Sequence, residues 1–159
     1  MAIFLKFEPE IKGGVTYEGH KDWISISSVQ FGVGRGIGSP EPGSQDRQAS
    51  HPSISELVFT KSMDIASNQL FFEAVNGTGS KVTIDFVETI KEKDEIFYQI
   101  VLENALISGY SVSSGGDRPS ESLSLNFTKI TVNYNAFKDG KAVVEGQAKS
   151  WNLLTNRAS

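Results

Sequence analysis

Residues 81–102 read Lys81-Val82-Thr83-Ile84-Asp85-Phe86-Val87-Glu88-Thr89-Ile90-Lys91-Glu92-Lys93-Asp94-Glu95-Ile96-Phe97-Tyr98-Gln99-Ile100-Val101-Leu102. Val82, Ile84 and Phe86 alternate with Thr83 and Asp85, the period of a strand with one buried face. The charged run Lys91 to Glu95 makes a polar turn, and Ile96, Tyr98, Ile100 and Leu102 resume the alternation beyond it. The stretch predicts an antiparallel hairpin.

The same period recurs outward from this hairpin. Leu123, Leu125 and Phe127 alternate with Ser122, Ser124, Asn126 and Thr128, and then the apolar phase moves to Ile130, Val132 and Tyr134. A strand that changes face contains a bulge or passes between sheets, and the spacing places that event at Thr128-Lys129. Trp23 to Phe31 and Ile54 to Thr60 are rich in β-branched and aromatic residues, which brings the count to at least seven strands. The fold class is mainly β.

One segment breaks the pattern. Leu70, Phe71, Ala74 and Val75 gather on one helical stripe behind Ser67, an apt N-cap, and Asn76-Gly77 supplies a left-handed stop. The spacing predicts a helix over about Ser67–Asn76, its stripe turned to the β core. Gly32 to Ser53 is a loop of roughly twenty residues, a length that in compact domains marks function or disorder. The strands on either side need each other to complete a core. Residues 1–159 are therefore read as a single domain with a long loop at about 32–53.

Composition narrows the function. The formal net charge is −4 and the basic residues are scattered, which argues against nucleic acid as a partner. There is no cysteine, so disulfide scaffolds, thiolate metal sites and cysteine nucleophiles are excluded. The N-terminal Met1 to Pro9 is interrupted by charge and proline, unlike a leader peptide, and no apolar run is long enough for a spanning helix. The expectation is a soluble chain made in the cytoplasm, without membrane insertion, which leaves the cell, if it does, without a cleaved signal peptide.

Candidate chemistry is sparse. Gly32, Gly34, Gly36 and Gly38 lack the G-x-G-x-x-G spacing and the Walker lysine, so the loop reads as a protein contact, not a phosphate cradle. His20 and His51 stand in polar, turn-like settings and read as surface residues; no metal-ligand spacing includes them. Gly109-Tyr110-Ser111-Val112-Ser113 lacks the last glycine of a nucleophile elbow. Asp85 and Glu88 fall on opposite faces of a strand, and Glu92, Asp94 and Glu95 share their turn with lysines. The sequons at Asn76 and Asn126 read as chance. No catalytic residue, metal ligand or cofactor is predicted, and a β domain without such a constellation points to binding or assembly.

The run Ser55-Glu56-Leu57-Val58-Phe59-Thr60-Lys61-Ser62-Met63-Asp64-Ile65-Ala66-Ser67-Asn68-Gln69-Leu70 resembles the strand-to-helix signature of the Hcp (haemolysin-coregulated protein) family, the tube proteins of bacterial type VI secretion. Leu102 to Ile107, Glu121 to Ile130 with Tyr134, the closing Gly146 to Arg157 and the opening Met1 to Lys6 extend the likeness over essentially the whole chain. It implies a two-sheet antiparallel β-barrel with one helix on its side, hexameric rings of the chain itself, and stacking of rings into a hollow tube. A contracting sheath would drive the tube out behind a spike, with effector proteins in its lumen.

On that reading Ser28, Gln30, Ser124 and Asn126 are candidates for the lumen-facing wall, with an ordinary solvated exterior as the alternative. The loop, through Arg35, Glu41, Asp46 and Arg47, is the candidate ring-stacking contact. Two other function classes stay open: a β-sandwich module binding carbohydrate or peptide through Trp23 or Tyr17, and a hydrolase with a dispersed site. A core or subunit contact is the plainer reading of Trp23.

Overall fold

The structure, a computed structural model, describes residues 1–38, 42–43, 51–90, 92–138, 141–145 and 148–158. In chain order the elements are β1 (Ala2–Glu8), β2 (Ile24–Ile26), β3 (Ser28–Gln30), β4 (Val33–Gly34), β5 (Ser53–Ile54), β6 (Leu57–Ser62), α1 (Ser67–Asn76), β7 (Ser80–Ile90), β8 (Lys93–Ser113), β9 (Ser120–Asn126), β10 (Lys129–Lys138), β11 (Lys141–Glu145), β12 (Lys149–Asn152) and β13 (Arg157–Ala158). All strand pairings are antiparallel. The mainly β fold class read from the sequence is the one found.

The 81–102 hairpin is β7 with the first half of β8, but its turn is tighter than the charge run suggested. The ladder continues to Ile90 opposite Lys93, and Glu92 takes a left-handed φ of 63°. Lys93, Asp94 and Glu95 are strand residues, since a short turn matches the twist of its flanking strands. Thr89 Oγ1 donates to Asp94 Oδ1 across them at 2.8 Å.

β8 runs for 21 residues and belongs to two layers. Its first half pairs with β7 and β10; its second half, from Leu106, pairs with β9. Between the halves Asn104 adopts φ 51°, and a register shift follows between Ile107 and Gly109. Gly79 lies against this bend at φ 116°, where an added Cβ would come within 2.2 Å of Asn104 Oδ1. Only glycine meets both demands.

One layer has the order β13-β12-β10-β8-β7-β1-β2, and the other β3-β6-β9-β8. The chain crosses between them at Ser27, whose N–H bonds to the Thr60 carbonyl at 2.7 Å. It crosses back at Phe127-Thr128, one residue before the expected point, with Thr128 N–H on the Glu103 carbonyl at 3.1 Å. The phase change in the sequence was thus a passage between sheets. The layers are joined at both sides by bent chain, without one continuous ladder closing a cylinder, and this qualifies the barrel expectation.

The core between them holds the alternating residues: Leu5 and Phe7, Ile24, Leu57 and Phe59, Val82 and Ile84, Ile100 and Leu102, Leu123 and Leu125. A second, smaller cluster of Phe4, Val15 and Val87 forms on the other face of β1 and β7. The segment before β2 folds over that face, tied down by Val15 N–H to the Trp23 carbonyl and Asp22 N–H to the Val15 carbonyl. β7, expected to be half-buried, is therefore covered on both faces at Asp85 and Val87.

Helix α1 has the expected bounds and different details. The N-cap position is Ala66, not Ser67; Asp64 Oδ1 accepts the Ala66 N–H, and the Ser67 hydroxyl donates instead to Glu121. Gly77 is extended, with its N–H on the Glu73 carbonyl, so it is not the left-handed stop. Of the expected stripe Leu70 is buried, whereas Phe71 and Val75 face outward. The polar anchor at Ser67 sets the roll of the helix, and that roll turns Ala66 and Leu70 inward.

Candidate functional site

Three of the four lumen candidates fall on one outward face of the β3-β6-β9-β8 layer, and Asn126 extends it at the end of β9. The register aligns Ser28, Thr60, Ser122 and Ser111 in one row, and Gln30, Val58, Ser124 and Gly109 in the next. Paired residues in a sheet share a face, so the inward Leu123 and Leu125 leave this side to small hydroxyls. Ser28 Oγ and Thr60 Oγ1 are 2.5 Å apart, and Ser108 Oγ lies 2.9 Å from Ser124 Oγ. Ser108 also donates to Glu56 Oε2 at 2.6 Å. Such a surface presents donors and acceptors with little charge. It can hold water or a hydrogen-bonding partner.

Of the four stacking candidates only Arg35 lies among the described residues, where it is exposed; Glu41, Asp46 and Arg47 lie outside them. Sequence reasoning missed the base of the loop, a two-stranded arm. Val33 pairs with Ile54 and Gly34 with Ser53, and Gly32 N–H bonds to Ser55 Oγ at 2.8 Å.

It also missed a buried ionic cluster. Lys61 Nζ donates to Glu121 Oε1 at 2.5 Å, to Asp64 Oδ1 at 2.9 Å and to the Ser62 carbonyl at 2.9 Å. Ser67 Oγ donates to Glu121 Oε1 at 2.7 Å, and the Tyr110 hydroxyl donates to Oε2. Burial opposes the charge on Glu121, but the bonds from Lys61, Tyr110 and Ser67 and the lysine's charge prevail, and its pKa lies below the usual carboxylate value. Burial, then the bond to Glu121 and its charge, pushes the Tyr110 hydroxyl up to about 12. The signal was present: Leu57, Phe59 and Lys61 share one phase, as do Glu121, Leu123 and Leu125. The cluster joins β6, β8, β9 and α1.

His20 is a correction. It is buried, not a surface residue, with Nε2 2.9 Å from Asp85 Oδ2, and Gln99 Nε2 donates to Asp85 Oδ1 at 2.8 Å. Its ring packs 4.7 Å from Trp23 and 5.0 Å from Phe4, centroid to centroid. No local pattern announces this, because the covering segment creates the burial. His51 is exposed.

Trp23 is half-buried, with His20 at one side and Lys6 Nζ 5.8 Å from its ring centroid. Tyr17 is exposed but sets its ring edge-on to Phe4 at 5.2 Å. No helix among the described residues is long and apolar enough to cross a membrane.

Comparison with known proteins agrees with this architecture. The family described as "Type VI secretion system effector, Hcp" matches residues 4–134. Protein hcp1 of Pseudomonas aeruginosa is 28% identical over 108 residues, 65% of this chain and 67% of its own. A solved structure of a type six secretion system protein superposes with a TM-score of 0.88 at 26% identity, covering 99% of each chain. Hcp1 from Salmonella typhimurium shares the fold, with a TM-score of 0.77 at 19% identity over 99% of this chain and 98% of its own. Matched from residue 4 to residue 134 and alike in fold along nearly its whole length, the chain belongs to the Hcp family of type VI secretion proteins.

Proposed function

We propose that the chain is a structural tube subunit: copies join into hexameric rings, the rings stack into a hollow tube, and the tube is exported by the type VI machine with effector proteins carried in its lumen. The observation that carries this reading is the hydroxyl face of the β3-β6-β9-β8 layer. A wall exposed to a wet channel must satisfy its polar groups without offering large apolar patches, and serine and threonine rows do both. Ser28, Gln30, Ser124 and Asn126 belong to that wall and supply its contacts to cargo.

Other observations support the assembly. β3 pairs only with β6 and β13 only with β12 among the described residues, and such edges are covered when neighbouring copies add their own strands. A ring joins unlike patches and closes in its plane, and a second contact then stacks rings along the axis. The loop that β4 and β5 close, with Arg35 at its base and Glu41, Asp46 and Arg47 in its sequence, supplies the contact to the adjacent ring. Residues 1–159 form one repeating unit. The chain acts as scaffold and carrier, partnered by itself, by the sheath and spike, and by effectors, with no catalysis of its own.

Size-exclusion chromatography with light scattering tests the ring directly. A closed six-copy particle is expected, and electron microscopy of concentrated samples should show stacked rings with a hollow centre. A monomer at high concentration would overturn the reading.

A further inference from the structure

Helix α1 is apolar on two sides. Ala66 and Leu70 seal the core, while Phe71, Phe72 and Val75 face outward, 57%, 53% and 72% exposed. At 3.6 residues per turn the outward three span an arc of roughly 100°, the width of a core-facing stripe. A second surface is needed to cover them.

A matching surface lies at the β3 edge of the β3-β6-β9-β8 layer. A groove of about 450 Å³ is lined by Phe31, Val33, Ile54, Ile130, Val132 and Trp151, with Arg35 and Lys149 in its wall. Neither cation forms an ion pair among the described residues. Phe31 follows β3 and α1 packs on β8, the two outer strands of the β3-β6-β9-β8 layer, so groove and helix lie at its opposite edges. A single copy cannot bring its own two surfaces together.

Their charges are complementary. The one charged residue of α1 is Glu73, and no basic residue sits in its last turn, so the C-terminal end of the helix is negative. The groove contributes two positive side chains. We propose that α1 of one copy docks its Phe71, Phe72 and Val75 stripe into the Arg35 and Lys149 groove of the next copy, and that this head-to-tail contact is what joins neighbours in the ring. The contact is heterologous, which lets repeated copies close on themselves. It rests on the tube reading and identifies the partner of each surface.

Two full-length variants test it. Phe72→Ser with Val75→Ser removes the stripe and leaves the groove intact; Val33→Asp sets a negative charge in the groove and leaves the stripe intact. Light scattering should give rings for the unmodified chain and monomers for each variant alone. An equimolar mixture should give two-chain particles, because one intact stripe meets one intact groove and both outer ends are blocked. Circular dichroism checks that each variant is folded, and Lys149→Glu at the exposed rim is a second groove variant if Val33→Asp is not. Ring-sized variants, or a mixture that stays monomeric, overturn the helix-in-groove contact while leaving the ring reading intact. An unmodified chain that is itself monomeric overturns the ring reading and the contact with it.

Discussion

Lys61 and Glu121 are cross-strand partners on β6 and β9, with Nζ 2.5 Å from Oε1 and both side chains sealed from water. Lys61→Met strands the carboxylate in the interior and should cost about 3–5 kcal/mol, the range for breaking a buried pair from one side. Adding Glu121→Gln removes the stranded charge and should recover more than half. Urea denaturation of the single and double variants measures both; a double variant no more stable than Lys61→Met would overturn the stranded-charge account.

The same cluster sets two pH limits. The folded-state pKa of Glu121 is lowered, so its contribution is present above the unfolded value of 4.5 and is lost as pH falls through the folded value. The Tyr110 hydroxyl is raised from 10 to about 12, so the folded chain keeps a proton that the unfolded chain has released between those values. Stability should decline from pH 10 to 12 and hold below it. Thermal melting across pH should show both slopes, and Tyr110→Phe should flatten the alkaline one.

Asp85 accepts from His20 and Gln99 inside the smaller apolar cluster. Asp85→Ala leaves the buried His20 and the half-buried Gln99 without their acceptor and should destabilise by about 2–4 kcal/mol. Because Trp23 packs on His20, the tryptophan emission of the folded variant should shift to longer wavelength. Unchanged emission together with unchanged stability would show that the network is dispensable.

Gly79→Ala should cost more than ~1 kcal/mol, since alanine resists a positive φ and its methyl collides with Asn104. Gly116→Ala, also at positive φ but with nothing within 4 Å, pays only the backbone part and should cost less. Comparing their denaturation midpoints separates the steric contribution from the conformational one.

Deleting residues 37–49 shortens the loop between β4 and β5 and leaves the β4–β5 pairing in place. On the proposed ring reading, folded hexamers should persist in light scattering, and stacked rings should become rare in electron micrographs. Unchanged stacking would remove the arm from the inter-ring contact.

Much of this architecture is legible in residue patterns because period two is a local property. Val82, Ile84 and Phe86 against Ile96 to Leu102 disclose the hairpin, and the phase change after Phe127 discloses the crossing of layers. Ser28, Gln30 and Ser124 are also readable as one polar face, since strand alternation leaves them no inward position. Lys61 and Glu121 share their phase with core residues, so their burial was present in the pattern and masked by their charge. The burial of His20 and the roll of α1 depend on what packs from elsewhere: the folded-over segment in one case, the Ser67 to Glu121 bond in the other. No window of sequence contains those contacts.

β8 has one further consequence. A single unbroken backbone passes through both layers, so a force on either is transmitted to the other along covalent bonds. Sliding one layer past the other would require rupture of the ladders that β8 shares with β7, β9 and β10. A chain built this way answers a load on either layer as one stiff body.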